Sequence, residues 1–224
     1  MNGPVVYIID DDASYLRAVS RFLRAAGFQV VIHTSAVEFL TDLKPEAAGC
    51  VITDLQMPGM DGMALQAALH QAGSLLPIVF LTGHGNIPAS VQAMRHGAED
   101  FLTKQARKED LIAAVNRALS RNEQAIAEHE RQRALRARFA LLTDREMEVL
   151  QHVLSGELNK QIAADLGIHE RTVKLHRTAI TTKLRVHSVA ELARLVQEAG
   201  LFPHLWQSVP SRGQPTPPDF PKGQ

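Results

Sequence analysis

Five short apolar runs rich in β-branched residues recur through the first half of the chain: VVYII (5–9), FQVVIH (28–33), CVIT (50–53), IVFL (78–81) and DFLT (100–103). Between them lie stretches with helical spacing. In LRAVSRFLRAAGF, Leu16, Val19, Phe22 and Leu23 share one stripe, and Gly27 stands where a helix would end. SAVEFLTDL, DGMALQAALHQAG and NIPASVQAMRHGA repeat the pattern. Strands that alternate with helices need crossover connections, which make a parallel sheet with helices on both faces. The runs are apolar at successive positions, as a sheet covered on both sides requires.

A fifth helix opens near Lys108 with DLIAAVNRAL. SRNEQAIAEHERQRALRAR follows, polar, rich in Arg and free of Pro and Gly, and reads as a helical or frayed linker. Ile112, Val115, Leu119, Asn122 and Ile126 form a weak seam, but His129, Arg133 and Arg136 continue it with polar residues, so a solvated helix is expected. After Ala140 only helical patterns remain. Thr143 and Glu146 form a capping box before the stripe Met147, Leu150, Val153 and Leu154. NKQIAADLG, IHERTVKLHRTAITTKL and SVAELARLVQEAG supply three more helices. The remainder, FPHLWQSVPSRGQPTPPDFPKGQ, is rich in proline and lacks periodicity, so it is expected to be mostly disordered, with Phe202, Leu205 and Trp206 packing back on the last helix. The expected organisation is an α/β unit with a five-stranded parallel doubly wound (flavodoxin-like) sheet over 1–121, a linker over 122–138, an all-α four-helix unit over 139–201 and a tail over 202–224.

Charge does not choose a partner for this chain: 24 basic residues balance 24 acidic ones. The single cysteine, Cys50, lies inside an apolar run and reads as a small core residue. MNGPVVYIID lacks the basic start of a signal peptide, and no stretch is long and apolar enough to cross a bilayer, so a cytoplasmic protein is expected.

In an open parallel sheet, ligands bind beyond the carboxyl ends of the strands. This sequence places Asp10, Asp11 and Asp12 after the first strand, Asp54 after the third, Thr82 at the fourth and Lys104 after the fifth. If strands one and three are neighbours, their ends lie about 5 Å apart. Carboxylates gathered with one lysine and one hydroxyl suit a hard divalent cation such as Mg²⁺, which takes oxygen ligands. The fitting chemistry is phosphoryl transfer to an aspartate: Asp54 attacks, while Mg²⁺ and Lys104 balance charge and Thr82 donates a hydrogen bond. The GHG after Thr82 would let that loop move. Taken singly, each residue has a plainer reading, as helix cap, solvated charge or turn residue, but an N-cap explains one aspartate and not three. Asp12, with Ser14, is the one read as capping the first helix.

These residues carry a family resemblance. VVYIIDDDAS, VITDLQMPGMDG, IVFLTGHG and AEDFLTK resemble the receiver domain of two-component response regulators, and LTDREMEVLQHVLSGELNKQIAADLGIHERTVKLHRTAITTKL resembles the LuxR-type helix-turn-helix. The pairing is similar to the FixJ/NarL class. The resemblance implies that Asp54 is the phosphoacceptor, that Asp10 and Asp11 form the acidic pair of the Mg²⁺ site with Asp11 the preferred direct ligand, and that the Gln56 carbonyl is a further ligand. It makes Thr82 and Lys104 the switch hydroxyl and charge partner, Phe101 an aromatic that changes rotamer, and the face of helix 86–97 and the fifth strand a homodimer surface. One departure stands out: the family usually has Lys-Pro, with a cis bond, where this chain has Lys104-Gln105. A cis bond before Gln costs roughly 3 kcal/mol more than trans, so either that strain is held or the loop takes another path.

Local charge favours DNA in the second half. Between Ile168 and Arg185 the basic residues are Arg171, Lys174, Arg177, Lys183 and Arg185, against the single acid Glu170. Val173, His176 and Ile180 fall on one stripe, and Lys174, Arg177 and Thr178 on the other side, as a recognition helix in the major groove requires. By resemblance, Lys174, Leu175 and Thr178 match base-reading positions. Lys160, Arg171 and Arg177 suit phosphate contacts, which position without specifying. His169 stands where the family often has a Ser or Thr cap, so a weaker cap is expected.

The expected function is a transcription regulator for double-stranded promoter DNA, switched when a sensor histidine kinase phosphorylates Asp54. An alternative keeps DNA binding and drops phosphorylation, with the receiver as a dimerisation module. A third reading, a phosphohydrolase of the haloacid dehalogenase type, needs a carboxylate two residues after Asp54, where this chain has Gln56. The chain is therefore expected not to be an enzyme.

Overall fold

The computed structural model describes residues 4–83 and 87–202. It divides into two compact units, Met1–His129 and Glu130–Gln224.

The first unit is built on β1 (Val5–Ile9), β2 (Gln29–His33), β3 (Gly49–Thr53), β4 (Ile78–Thr82) and β5 (Asp100–Thr103), with α1 (Ala13–Ala25), α2 (Ala36–Asp42), α3 (Gly62–Gln71) and α4 (Ile87–Arg95) between them. The strands are all parallel, in the order β2-β1-β3-β4-β5. The central strands β3 and β4 are buried at every position, which is why their runs are apolar without alternation. One face of the sheet packs Ile8, Ile52 and Leu81 against Leu16 and Leu23 of α1 and Leu111 and Val115 of the next helix, α5 (Lys108–Phe139). The other packs Ile9, Val51 and Phe80 against Phe39 of α2, Leu65 and Leu69 of α3 and Ala93 of α4. Helices thus cover both faces. Cys50 is fully buried, and burial pushes its thiol up to about 12, so it is an inert core residue.

Helix α5 differs from the sequence expectation in its length. It is one unbroken helix of 32 residues that runs through the segment read as a linker. Asn122, read as part of a solvated helix, is only 2% exposed. Its side chain accepts from the Gly49 amide at 2.8 Å and donates to the Leu75 carbonyl at 2.7 Å. Gly49 has no room for a side chain, since a Cβ would collide with the Val5 backbone. The polar residue in the seam is therefore a tertiary anchor for backbone groups that no strand partner reaches.

In the second unit, α6 (Asp144–Leu154), α7 (Asn159–Asp165), α8 (Glu170–Leu184) and α9 (Val189–Glu198) close on a core that includes Leu150, Ile162, Val173, Ile180, Leu184 and Val196. Leu135 and Phe139, from the end of α5, complete this core. Gly167, at φ +64°, makes the turn out of α7, a left-handed conformation that glycine adopts without steric cost. Phe202 packs against the core, whereas Leu205 and Trp206 and the tail expected to be disordered lie outside the described residues.

Candidate functional site

Parallel strands bring their carboxyl ends to one edge, and the register decides what meets there. Ile9 pairs with Thr53, so Asp10 and Asp54 leave neighbouring strands side by side. Asp54 donates its amide to the Ile9 carbonyl at 3.0 Å, and Lys104 donates its amide to the Thr82 carbonyl at 2.8 Å, which ties the end of β3 to β1 and the end of β5 to β4. Gly62 lies directly behind. A Cβ there would strike the carbonyl oxygen of Asp54, so the start of α3 approaches this loop closely only because residue 62 is glycine.

The side chains converge. Carboxylate oxygens of Asp10, Asp11 and Asp54 lie within 4.8 Å of one another. Asp10 and Asp54 are buried, and Asp11 is exposed. The Lys104 ammonium bridges the two buried carboxylates, 2.5 Å from Asp10 Oδ2 and 2.7 Å from Asp54 Oδ2. The remaining Asp54 oxygen, Oδ1, accepts the Gln56 amide at 3.3 Å. Burial raises the Asp10 pKa, and the hydrogen bond from Lys104 only partly offsets this. For Lys104, burial acts to lower the pKa, but the bonds to Asp10 and Asp54 outweigh it and the net shift is upward. The donor set is all oxygen and already over-supplied with negative charge, which fits a hard divalent cation.

The Lys104-Gln105 departure does not move the ammonium away from the carboxylates. No cis peptide bond occurs among the described residues, and Lys104 still spans Asp10 and Asp54. Thr82 is buried at the end of β4, and Phe101 is half-buried with its ring 5.9 Å from that of Phe80. His84 and Gly85, part of the loop expected to move, lie outside the described residues. Asp12 caps α1, accepting from the amides of Ser14 and Tyr15 at 2.8 and 3.1 Å. Sequence reasoning missed Tyr15, whose ring lies 4.5 Å from the Lys104 ammonium. Burial pushes its phenol up to about 12. Its place in the first turn of α1, just past the acidic run, was the available signal.

In the second unit, Val173 and Ile180 point into the core, while Lys174, Leu175 and Thr178 are exposed on the opposite side of α8. Leu175 is 63% exposed, between polar neighbours on that face. Lys160 on α7 and Arg171 in the first turn of α8 are exposed as well. Arg177 is half-buried, and its Nη1 donates to Asn159 Oδ1 at 3.1 Å, which links α8 to the first residue of α7. Asn159 was not singled out from the sequence. Lys183, counted among the basic residues, is withdrawn from that face: its ammonium lies 2.7 and 2.9 Å from the two oxygens of Glu146. His169 is the N-cap of α8 and makes no side-chain cap bond, in line with the weak cap expected.

Comparison with known proteins agrees with both halves. The family model for the response regulator receiver domain matches residues 6–116, and that for the bacterial regulatory proteins of the luxR family matches 140–196. The response regulator protein TmoT of Ectopseudomonas mendocina is 43% identical over 193 residues, covering 86% of this chain and 88% of its own. The transcriptional regulatory protein FixJ of Azorhizobium caulinodans is 38% identical, covering 88% and 94%. Among solved structures, the response regulator StyR superposes with a TM-score of 0.75 at 43% identity, over 88% of this chain and all of its own. Full-length FixJ from B. japonicum gives 0.55 at 36%, over 89% and 98%. With an acidic, lysine-bridged strand edge in one unit and a basic-faced helix in the other, this chain belongs to the two-component response regulators of the FixJ/NarL class, in which a receiver domain is joined to a LuxR-type DNA-binding domain.

Proposed function

We propose that Asp54 is phosphorylated by a sensor histidine kinase and that this controls binding of the second unit to promoter DNA. The observation that carries the proposal is the Lys104 ammonium held between Asp10 and Asp54 at the carboxyl edge of the sheet. In the transfer, an oxygen of Asp54 forms the new O–P bond as the N–P bond of a phosphohistidine breaks, and the imidazole takes the electron pair. Lys104 is placed to follow the charge onto the phosphoryl oxygens, and the Thr82 hydroxyl to donate to one of them. Asp10, Asp11, Asp54 and the Gln56 carbonyl would hold Mg²⁺, which when bound supplies counter-charge for the incoming group. Movement of Thr82 would free space for Phe101 to change rotamer, and α4, where Val91 and Met94 are 45% and 47% exposed, would then pair with a second copy.

On DNA, Lys174, Leu175 and Thr178 would face base edges, with Leu175 against a thymine methyl group. Lys160, Arg171 and Arg177 would contact phosphates. The Lys174 ammonium lies 3.3 Å from Glu170, an exposed pair that is easily exchanged for DNA contacts.

The test is the Asp54→Asn variant with Mg²⁺ and a small phosphodonor. Phosphate incorporation should be abolished and promoter affinity should become insensitive to the donor. Incorporation at the wild-type level would sink the assignment. The phosphorylation-independent reading predicts equal promoter affinity of the unmodified chain with and without donor.

A further inference from the structure

The second unit gathers a cluster of potential metal ligands that the proposed DNA contacts do not use. His152 stands in the last turn of α6, Glu157 in the connection that follows, and Asp165 at the end of α7. Each brings one donor atom within 4.8 Å of the other two. His152 Nδ1 and Glu157 Oε2 are 2.7 Å apart. The three residues belong to successive pieces of the fold, so packing of α7 against α6 assembles them. His152 and Glu157 are half-buried and Asp165 is exposed, so the side chains have room to turn.

A histidine-glutamate pair explains two of these residues and not the third. Among the described residues, no Lys or Arg forms an ion pair with Glu157 or Asp165, and the Asp165 carboxylate makes no hydrogen bond. Arg145 reaches the neighbouring Leu166 carbonyl, but its ion pair is with Glu148. Asp165 is also the last residue of α7, and a carboxylate at that end of a helix meets the negative pole of the peptide dipoles. Two acids therefore converge where neither helix capping nor a basic partner favours the second. A cation among them reverses both costs. We propose that His152, Glu157 and Asp165 bind a zinc-type divalent cation. One imidazole with two carboxylates is a nitrogen-and-oxygen donor set, which suits Zn²⁺, whereas the all-oxygen edge of the first unit suits Mg²⁺. Zn²⁺ bonds such atoms at about 2.0–2.2 Å, which puts tetrahedral ligands roughly 3.4 Å apart, within reach of small side-chain rotations here. The ion ties the end of α6 to the end of α7 and so stabilises the second unit. None of this depends on phosphorylation or DNA binding.

The probe is Zn²⁺, titrated calorimetrically into the full chain with excess Mg²⁺ present to occupy the acidic edge. Wild type should bind Zn²⁺ saturably, and scanning calorimetry should show the melting transition of the second unit rising with Zn²⁺ but not with Mg²⁺. Asp165→Asn, at an exposed position whose carboxylate has no partner, should fold as wild type does. Even loss of an outer partner of a metal ligand costs roughly 10–100-fold in affinity, so this variant should bind Zn²⁺ at least about tenfold more weakly. His152→Gln, which removes the only nitrogen donor of the set, should lose the Zn²⁺-dependent rise while keeping a folded second unit by melting. Absence of saturable Zn²⁺ binding would overturn the proposal, as would a rise confined to the first unit. Wild-type affinity in Asp165→Asn would mean an adventitious ion only, bound elsewhere on the chain, and would overturn it too.

Discussion

At the scale of single residues, chemistry at strand ends was easier to read than chemistry on helices. Asp10, Asp54 and Lys104 follow directly after apolar runs, so strand alternation alone brings them to one edge. Lys183 shows the opposite case. Its place in a basic run suggests a DNA contact, but its partner Glu146 stands 37 residues earlier, on another helix, where sequence spacing gives no hint. Asn159 was invisible for the same reason. Its bond to Arg177 holds a guanidinium that would otherwise be free to rotate, which would make Asn159 a positioning residue for the proposed phosphate contact. Asn159→Ala should therefore weaken binding to specific and unrelated DNA alike, by about 1 kcal/mol, as loss of one hydrogen bond implies. Fluorescence anisotropy on both DNAs checks this, and a loss confined to the specific site would contradict it.

Among the elements, the start of α6 joins local and tertiary structure in one carboxylate. Glu146 closes the capping box by accepting the Thr143 amide at 2.7 Å, and the same oxygen meets Lys183 of α8. Burial alone would raise the Glu146 pKa, but the bonds from Lys183 and Thr143 hold it below the ordinary 4.5. Folding thus favours the ionised form. Its contribution is complete above pH 4.5 and is lost as the pH falls through the lower, folded-state value. The melting temperature of the second unit should drop over that acid range, and Lys183→Met should flatten the dependence. The box itself was legible from Thr143 and Glu146, whereas its coupling to α8 was not. Helix α5 offers a parallel case at Asn122. Asn122→Ala leaves the Gly49 amide and the Leu75 carbonyl unpaired, a cost of about 2–3 kcal/mol, and chemical denaturation should show it in the first unit.

For the whole molecule, each unit has its own core, so heating should give two transitions. Burial raises the Asp10 pKa, so folding of the first unit favours the protonated acid and loses stability as the pH rises through the carboxylate range. A bound cation reverses that. Mg²⁺ at about a hundred times its dissociation constant should add about 2.7 kcal/mol to the first transition alone, and chelation should remove it. Differential scanning calorimetry on wild type and Asp11→Asn distinguishes the acidic site from general salt effects. A shift in both transitions, or an unchanged shift in the variant, would contradict the site. The change from strand-helix alternation to helices alone made this bipartite plan readable in the sequence. The unbroken course of α5 was not, because a polar helix without Pro or Gly looks the same whether it frays or holds.

Tyr15 gives the acidic edge an optical readout. The chain has two tyrosines, and this one lies under the Lys104 ammonium that joins Asp10 and Asp54. Its phenol, pushed up to about 12, keeps the proton at any ordinary working pH, so its emission does not fade through ionisation. A lanthanide placed among the same carboxylates would receive excitation energy from that ring. Its delayed luminescence would count occupied sites in the intact chain without a label.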